Sequence, residues 1–195
     1  MSERVLCTRG LNTLMFNDPY AKLCFAAHLV TQFQKVTYVD FDTTFAAYFT
    51  AGLVKANNID IYLPSEGRLS HTIKDVLESM GTSSLVVFDS VNSFYNMFRP
   101  NQRTGGLNHL LSVLLMLLVR RAMDENIPIL ATSMLRYRKD GGWVQSPASR
   151  RLLQSKSTVR LNVERIGKDL ALTIMEHESI PLGTQLIYKD SLITI

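Results

Sequence analysis

Short, continuously apolar runs alternate along this chain with longer segments of helical period, and that alternation leaves few folds open. The runs fall at Leu14–Phe16, Val36–Phe41, Ile59–Leu63, Ser84–Phe88 and Ile127–Thr132. Between them, Pro19–Phe33, Thr44–Ala56, Leu69–Met80 and Leu107–Glu125 carry apolar residues at helical spacing. A strand that is apolar at every position is covered on both faces, because a face meeting water would show as alternation. Strands of that kind alternating with helices predict an α/β fold in three layers, with a mostly parallel central sheet between helices. After Arg150 the period changes to two. The runs "STVRLNVER", "KDLALTIMEH" and "TQLIYK" are separated by turn-forming Ile166-Gly167 and Pro181-Leu182-Gly183, which predicts an antiparallel C-terminal extension at the sheet edge. No repeat or linker divides the 195 residues, so a single domain over 1–195 is expected, large enough to bury a full core.

Several function classes drop out on composition. The run Leu107–Val119 is interrupted by Asn108, His109 and Ser112 and falls short of the roughly 20 apolar residues of a membrane span. It is expected as a buried helix, with Met116 and Met123 packing the core or a subunit face. The start "MSERVLC" has no apolar run of secretory length, so a cytoplasmic protein without membrane association is expected. Cys7 and Cys24 are too few for a disulfide framework and lack metal-ligand spacing, which predicts reduced thiols. His28, His71, His109 and His177 form no pair at helical metal-site spacing, so no metal centre is expected. Ser90 has no nucleophile elbow around it.

Net charge is +4 and the isoelectric point about 9.1, only mildly basic, so the placement of charge is more informative than its sum. Two segments have loop composition, Asn96–Gly106 and Arg136–Ser149. Both follow strands and so belong at the carboxyl ends of a parallel sheet, where open α/β folds bind ligands. The first carries Arg99, Arg103 and paired glycines. The second, read on through "RYRKDGGWVQSPASRR", carries Arg136, Arg138, Lys139, Arg150 and Arg151 with Tyr137 and Trp143, and its only acid is Asp140. Cations attract phosphates, and planar side chains offer stacking surfaces worth about 1–3 kcal/mol per base.

Three stretches together resemble the ATPase core of the RecA superfamily, most closely the archaeal RadA and RadB recombinases and more distantly KaiC-type proteins. In "KVTYVDFDTTF", Lys35–Phe45, Asp42 takes the place of the catalytic glutamate in the family's Tyr-Ile-Asp-Thr-Glu-Gly-Thr-Phe run. In "SSLVVFDSVNSFYNMF", Ser83–Phe98, Asp89 falls on the magnesium-coordinating aspartate of the Walker B element. The tail, "GGWVQSPASRRLLQSKSTVRLNVER" and "HESIPLGTQLIYKDSLITI", is similar to the family's closing strands with their Pro-x-Gly turn. The resemblance covers the chain from Leu14 onward and implies a RecA-like fold, with the two loops where relatives contact single-stranded DNA. The recombinases' separate amino-terminal domain and polymerisation segment are not evident.

The family's phosphate loop is the departure. Laid on Phe16–Leu23, the GxxxxGK[ST] pattern keeps only Lys22. Its glycines let backbone N–H groups turn inward around phosphate, and Phe16 and Ala21 remove both. Leu23 cannot supply the magnesium-binding hydroxyl. "NDP" is instead a helix start, with Asp18 as N-cap and Pro19 at the first helical position. The Asp18 carboxylate would oppose a phosphate by on the order of 4 kcal/mol, roughly a thousandfold in affinity. Lys22 follows Asp18 by one helical turn, so a local ion pair is expected rather than a phosphate ligand. Without phosphates to bring magnesium, Asp42 and Asp89 are expected to cap turns, and Asp42 is one methylene shorter than glutamate.

The expectation is therefore a non-catalytic RecA-like paralogue without tight ATP or magnesium cofactors. It would bind nucleic acid, single-stranded DNA first, in recombination or repair, with a recombinase partner or self-association open. The alternatives are a structural subunit of an Elongator-like ring engaging RNA, supported if segments such as "FAAYFTAGL" are exposed, and a weak NTPase using Lys22, Asp42 and Asp89 in altered geometry.

Overall fold

In a computed structural model, which describes residues 5–98, 104–145, 153 and 157–189, the elements alternate as the periodicity implies. They are β1 (Leu11–Phe16), α1 (Pro19–Val30), β2 (Val36–Asp40), α2 (Thr44–Thr50), β3 (Ile59–Tyr62), α3 (Leu69–Ser79), β4 (Leu85–Asp89), α4 (Val91–Phe98), α5 (Thr104–Asp124), β5 (Ile129–Arg138), β6 (Gly142–Gln145), β7 (Ser157–Ile166), β8 (Asp169–Glu176) and β9 (Gln185–Lys189). The sheet order is β3-β2-β4-β5-β1-β7-β8-β9, with β6 paired to β5. Pairing is parallel from β3 through β7 and antiparallel at β7–β8, β8–β9 and β5–β6.

Side-chain alternation divides the sheet's two faces between two cores. Leu14, Phe16, Tyr38, Leu85, Val87, Leu130, Leu161 and Val163 meet the α1 layer. Leu11, Val39, Val86, Phe88, Ile129 and Ala131 meet α3, α4 and α5. Helix α1 is buried almost all round, as a helix apolar on every side must be. Asp18 caps it by accepting from the Tyr20 N–H at 2.9 Å, as its sequence predicts. Helix α5, over Gly105–Asp124, is long and apolar enough by length and composition to cross a membrane, contrary to the reading of Leu107–Val119. Its Leu107, Leu111, Leu114, Leu115, Leu118 and Ala122 are buried against the sheet. Each such leucine gains about 1.5–3 kcal/mol on burial, which sets the orientation of the helix. The opposite stripe, Val113, Met116, Leu117 and Met123, is exposed, so the methionines do not pack this core.

Three expectations change. Residues from Asn96 to Phe98 belong to a helix, α4, whose Val91, Phe94 and Phe98 are buried. Strand β7 runs parallel to β1, so the antiparallel extension begins only at β8. The loop from Arg136 is a β-ribbon through Gln145, in which β5 continues and β6 folds back on it. Its turn, "KDGG", holds the Asp-Gly pair that favours hairpins, with Gly142 at φ 67°.

Gly10 leads into β1 at φ +120°, and an added Cβ would lie 2.7 Å from Thr158 Cγ2 on β7. Gly10→Ala is expected to lower stability by about 1–3 kcal/mol, read as a fall in the urea unfolding midpoint.

Candidate functional site

The sheet register assembles the site. Asp40 pairs with Asp89, and Phe88 with Ala131, so Asp40, Asp89 and Thr132 lie in one row across β2, β4 and β5 at their carboxyl ends. Alternation points this row toward α1, whose Lys22 reaches it from above.

Lys22 is 2% exposed, and its ammonium lies 2.9 and 2.7 Å from the two oxygens of Asp89 and 3.1 Å from Asp42 Oδ2. The expected pair with Asp18 is absent. A long side chain one turn into a buried helix points at the sheet, where two carboxylates compensate its charge. Asp18 instead faces Arg165 of β7 at 3.6 Å. Asp89 is fully buried and also accepts from the Tyr38 hydroxyl at 2.6 Å and from Thr132 Oγ1. It caps no turn. Asp42 does, accepting the Thr44 N–H at 3.0 Å, and Asp40 Oδ2 accepts the Ala46 N–H at 2.9 Å in the first turn of α2. Thr43, between Asp42 and Thr44, is held in the left-handed region at φ 61°. Ser93 Oγ donates to Asp42 Oδ2 at 3.4 Å.

The charges follow from this packing. Burial pushes the Lys22 ammonium toward neutrality, but Asp89 and Asp42 outweigh it, and the pKa rises above its ordinary value. Burial pushes Asp42 up, and Lys22 with the Thr44 N–H brings it below the usual range. Burial pushes Asp40 up to about 7; the Ala46 N–H opposes this, and the neighbouring Asp89 and Asp42 carboxylates add to it. Burial also drives the Tyr38 hydroxyl well above its ordinary value, so it remains a donor. One oxygen from each of Asp40, Asp42 and Asp89 lies within 4.8 Å of the others, and Asp40 Oδ1 has no hydrogen-bond partner among the described residues. Those three carboxylates are the groups that could hold a cation, and the Lys22 ammonium already sits against two of them.

The ribbon presents the other expected residues. Tyr137 and Trp143 face each other across its strands, rings 5.6 Å apart and edge to face, 65% and 49% exposed. Trp143 is therefore not anchored in this core. Arg136 and Arg138 alternate onto the opposite face, and Lys139 stands at the turn. Among the described residues none of these cations forms an ion pair. Arg99, Arg103, Arg150 and Arg151 lie outside the described residues. Sequence reasoning missed Tyr38, Asp40 and Thr132. Asp40 and Tyr38 stood in the quoted Lys35–Phe45 run, two and four residues before Asp42, on the face that period two assigns to Asp40.

Lys22→Met would leave the buried Asp89 charge uncompensated and is expected to destabilise by about 3–5 kcal/mol in urea unfolding, with part recovered on adding Asp89→Asn. Asp40 binds its proton more tightly folded than unfolded, so its contribution to stability is complete below about pH 4 and declines as pH rises toward 7. Asp40→Asn should remove that decline and be more stable than the wild type at about pH 8, in unfolding curves taken at both ends of the window.

No family model and no curated protein matches the sequence. Among solved structures, the chain is similar to one described as the crystal structure of the RadB recombinase, with a TM-score of 0.70 and 17% identity, over 96% of this chain and 90% of that chain. At that identity the likeness carries architecture alone: the chain has a RecA-like α/β fold, a mostly parallel sheet flanked by helices with antiparallel strands at its C-terminal side.

Proposed function

We propose that this chain is a non-catalytic RecA-like protein that binds nucleic acid, single-stranded DNA first, as an accessory in recombination or repair. The observation that carries the reading is the buried Lys22. An ammonium has three donors and no acceptor, and here its contacts go to Asp89 Oδ1, Asp89 Oδ2 and Asp42 Oδ2, leaving none for a phosphate. Only Asn17 and Asp18 separate β1 from α1, and the Asp18 carboxylate already takes an N–H of the first turn. A triphosphate would have to break the ion pairs and displace that cap. The ribbon supports the binding side: aromatic rings on one face, arginines on the other, at the carboxyl end of the sheet. The structural likeness to a RadB recombinase supports placing that activity in recombination.

A second reading, a structural subunit of a ring that engages RNA, draws on the exposed apolar stripe of α5, with Met116 56% exposed, and on exposed Leu53 at the end of "FAAYFTAGL". Tyr48 and Phe49 of that segment are only partly buried, whereas Phe45 is in the core.

Titration of a labelled single-stranded DNA separates these readings. Three cationic contacts from the ribbon predict binding about 20-fold weaker at about 200 mM than at about 50 mM salt. Trp143→Ala is expected to cost about 1–3 kcal/mol of binding. No binding at the lower salt overturns the proposal, as does micromolar binding of ATP with magnesium. A preference for RNA in a stable oligomer by light scattering moves the conclusion to the second reading.

A further inference from the structure

The strand that continues into the ribbon is tethered at its root by side chains from outside it. Strand β4 pairs with β5 only as far as Phe88 and Ala131, because the chain turns from Asp89 into α4. On its other side β5 stays paired to β1 through Met134, and from Leu135 its partner is β6. Over Thr132–Met134, then, β5 has no strand on one side among the described residues, and its backbone groups there need other partners.

Two side-chain contacts cross the gap, one of them to a backbone group of β5. Thr132 Oγ1 donates to Asp89 Oδ1, at the last residue of β4. Asn92, in the first turn of α4, accepts the Met134 N–H on its Oδ1 at 2.7 Å and faces Ser133 Oγ at 3.4 Å. The Asn92 amide thus takes the role of a strand carbonyl immediately before the ribbon begins. Through Asp89 the same root is joined to Lys22, and through Asp89 to Tyr38.

A two-stranded ribbon alone is marginally stable in water and free to swing about its root. A binding surface that must first be oriented loses affinity to that ordering, and holding it in place beforehand recovers the loss. We propose that Asn92 and Thr132 are positioning residues for the ribbon, fixing the orientation of Tyr137 and Trp143 relative to the sheet so that nucleic-acid affinity depends on hydrogen bonds made outside the binding face. This inference rests on the nucleic-acid reading of the ribbon. It also makes the ribbon's orientation a property of the buried ion pairs, with no bound nucleotide needed to set it.

Trp143 is the single tryptophan of the chain, so its fluorescence anisotropy reports the ribbon directly. Asn92→Leu keeps the branched shape at Cγ and removes the acceptor, whereas Asn92→Asp keeps an acceptor oxygen in place. Asn92→Leu is expected to lower Trp143 anisotropy and to weaken binding of single-stranded oligonucleotide about tenfold, equivalent to about 1.4 kcal/mol, and Asn92→Asp to restore most of both. A purely structural role would lower the urea midpoint of Asn92→Leu with Trp143 anisotropy and affinity unchanged in the folded state, which overturns the proposal. If Asn92→Leu does not fold, Thr132→Val, nearly isosteric, tests the second tether by the same two readings, and wild-type values in it overturn the proposal equally. A wild-type protein that binds no oligonucleotide removes the function proposed above, and the tether is then decided by the anisotropy of the variants alone.

Discussion

A lysine ammonium enclosed by two aspartates is the contact on which the arrangement of this molecule's upper edge depends. Taking an ammonium and a carboxylate out of water costs several kcal/mol for each ion, and only close pairing with further hydrogen bonds offsets it. Here the pairing is close on both sides. Asp89 receives Lys22 on both oxygens, Tyr38 on one and Thr132 on the other, so no lone pair of that buried carboxylate is left facing apolar surroundings. The contact spans α1, β2, β4 and β5 and fixes them relative to one another where the strands end.

The same contact accounts for the protonation pattern around it. Burial denies a charge on Asp40 its solvent, the neighbouring Asp89 and Asp42 carboxylates oppose it further, and Asp40 keeps its proton up to about pH 7. The cluster therefore limits its own net charge, with Asp40 as the group that yields. This bears on the proposed function in two ways. A cation that has spent its donors internally is a poor ligand for phosphate, and a rigid corner is a firm base for the ribbon that rises from β5. The ribbon, whose cations find no carboxylates among the described residues, is where attraction to an external polyanion remains.

Much of the fold was legible in the chain. Continuous apolar runs gave β2 and β3 nearly to the residue, and Asp18-Pro19 marked the start of α1. What was misread had mixed local signals. The α4 segment is short and sits between a strand and a glycine-containing stretch, so its burial of Phe94 and Phe98 was hidden. The ribbon combines charged residues with two glycines and reads as loop unless Asp140-Gly141 is weighed as a hairpin turn joining Tyr137 to Trp143. At the site, Lys22, Asp42 and Asp89 were identified by type, but the partner of Lys22 was misassigned. Local spacing favours a residue one turn away over residues 20 and 67 positions distant in sequence.

The partner of Lys22 marks the division between what is local in this chain and what is not. Periodicity and turn chemistry are local, and the sequence by itself determined which segments become strands or helices, which of their faces are apolar, and where α1 is capped. Register and strand order are not local. Whether Asp40, Asp89 and Thr132 stand in one row, and whether Lys22 meets them or Asp18, was decided only when β2, β4 and β5 were laid side by side beneath α1. The reason is physical: a charge buried on a helix must find compensation within a few ångströms, and only the packed sheet brings those carboxylates within reach.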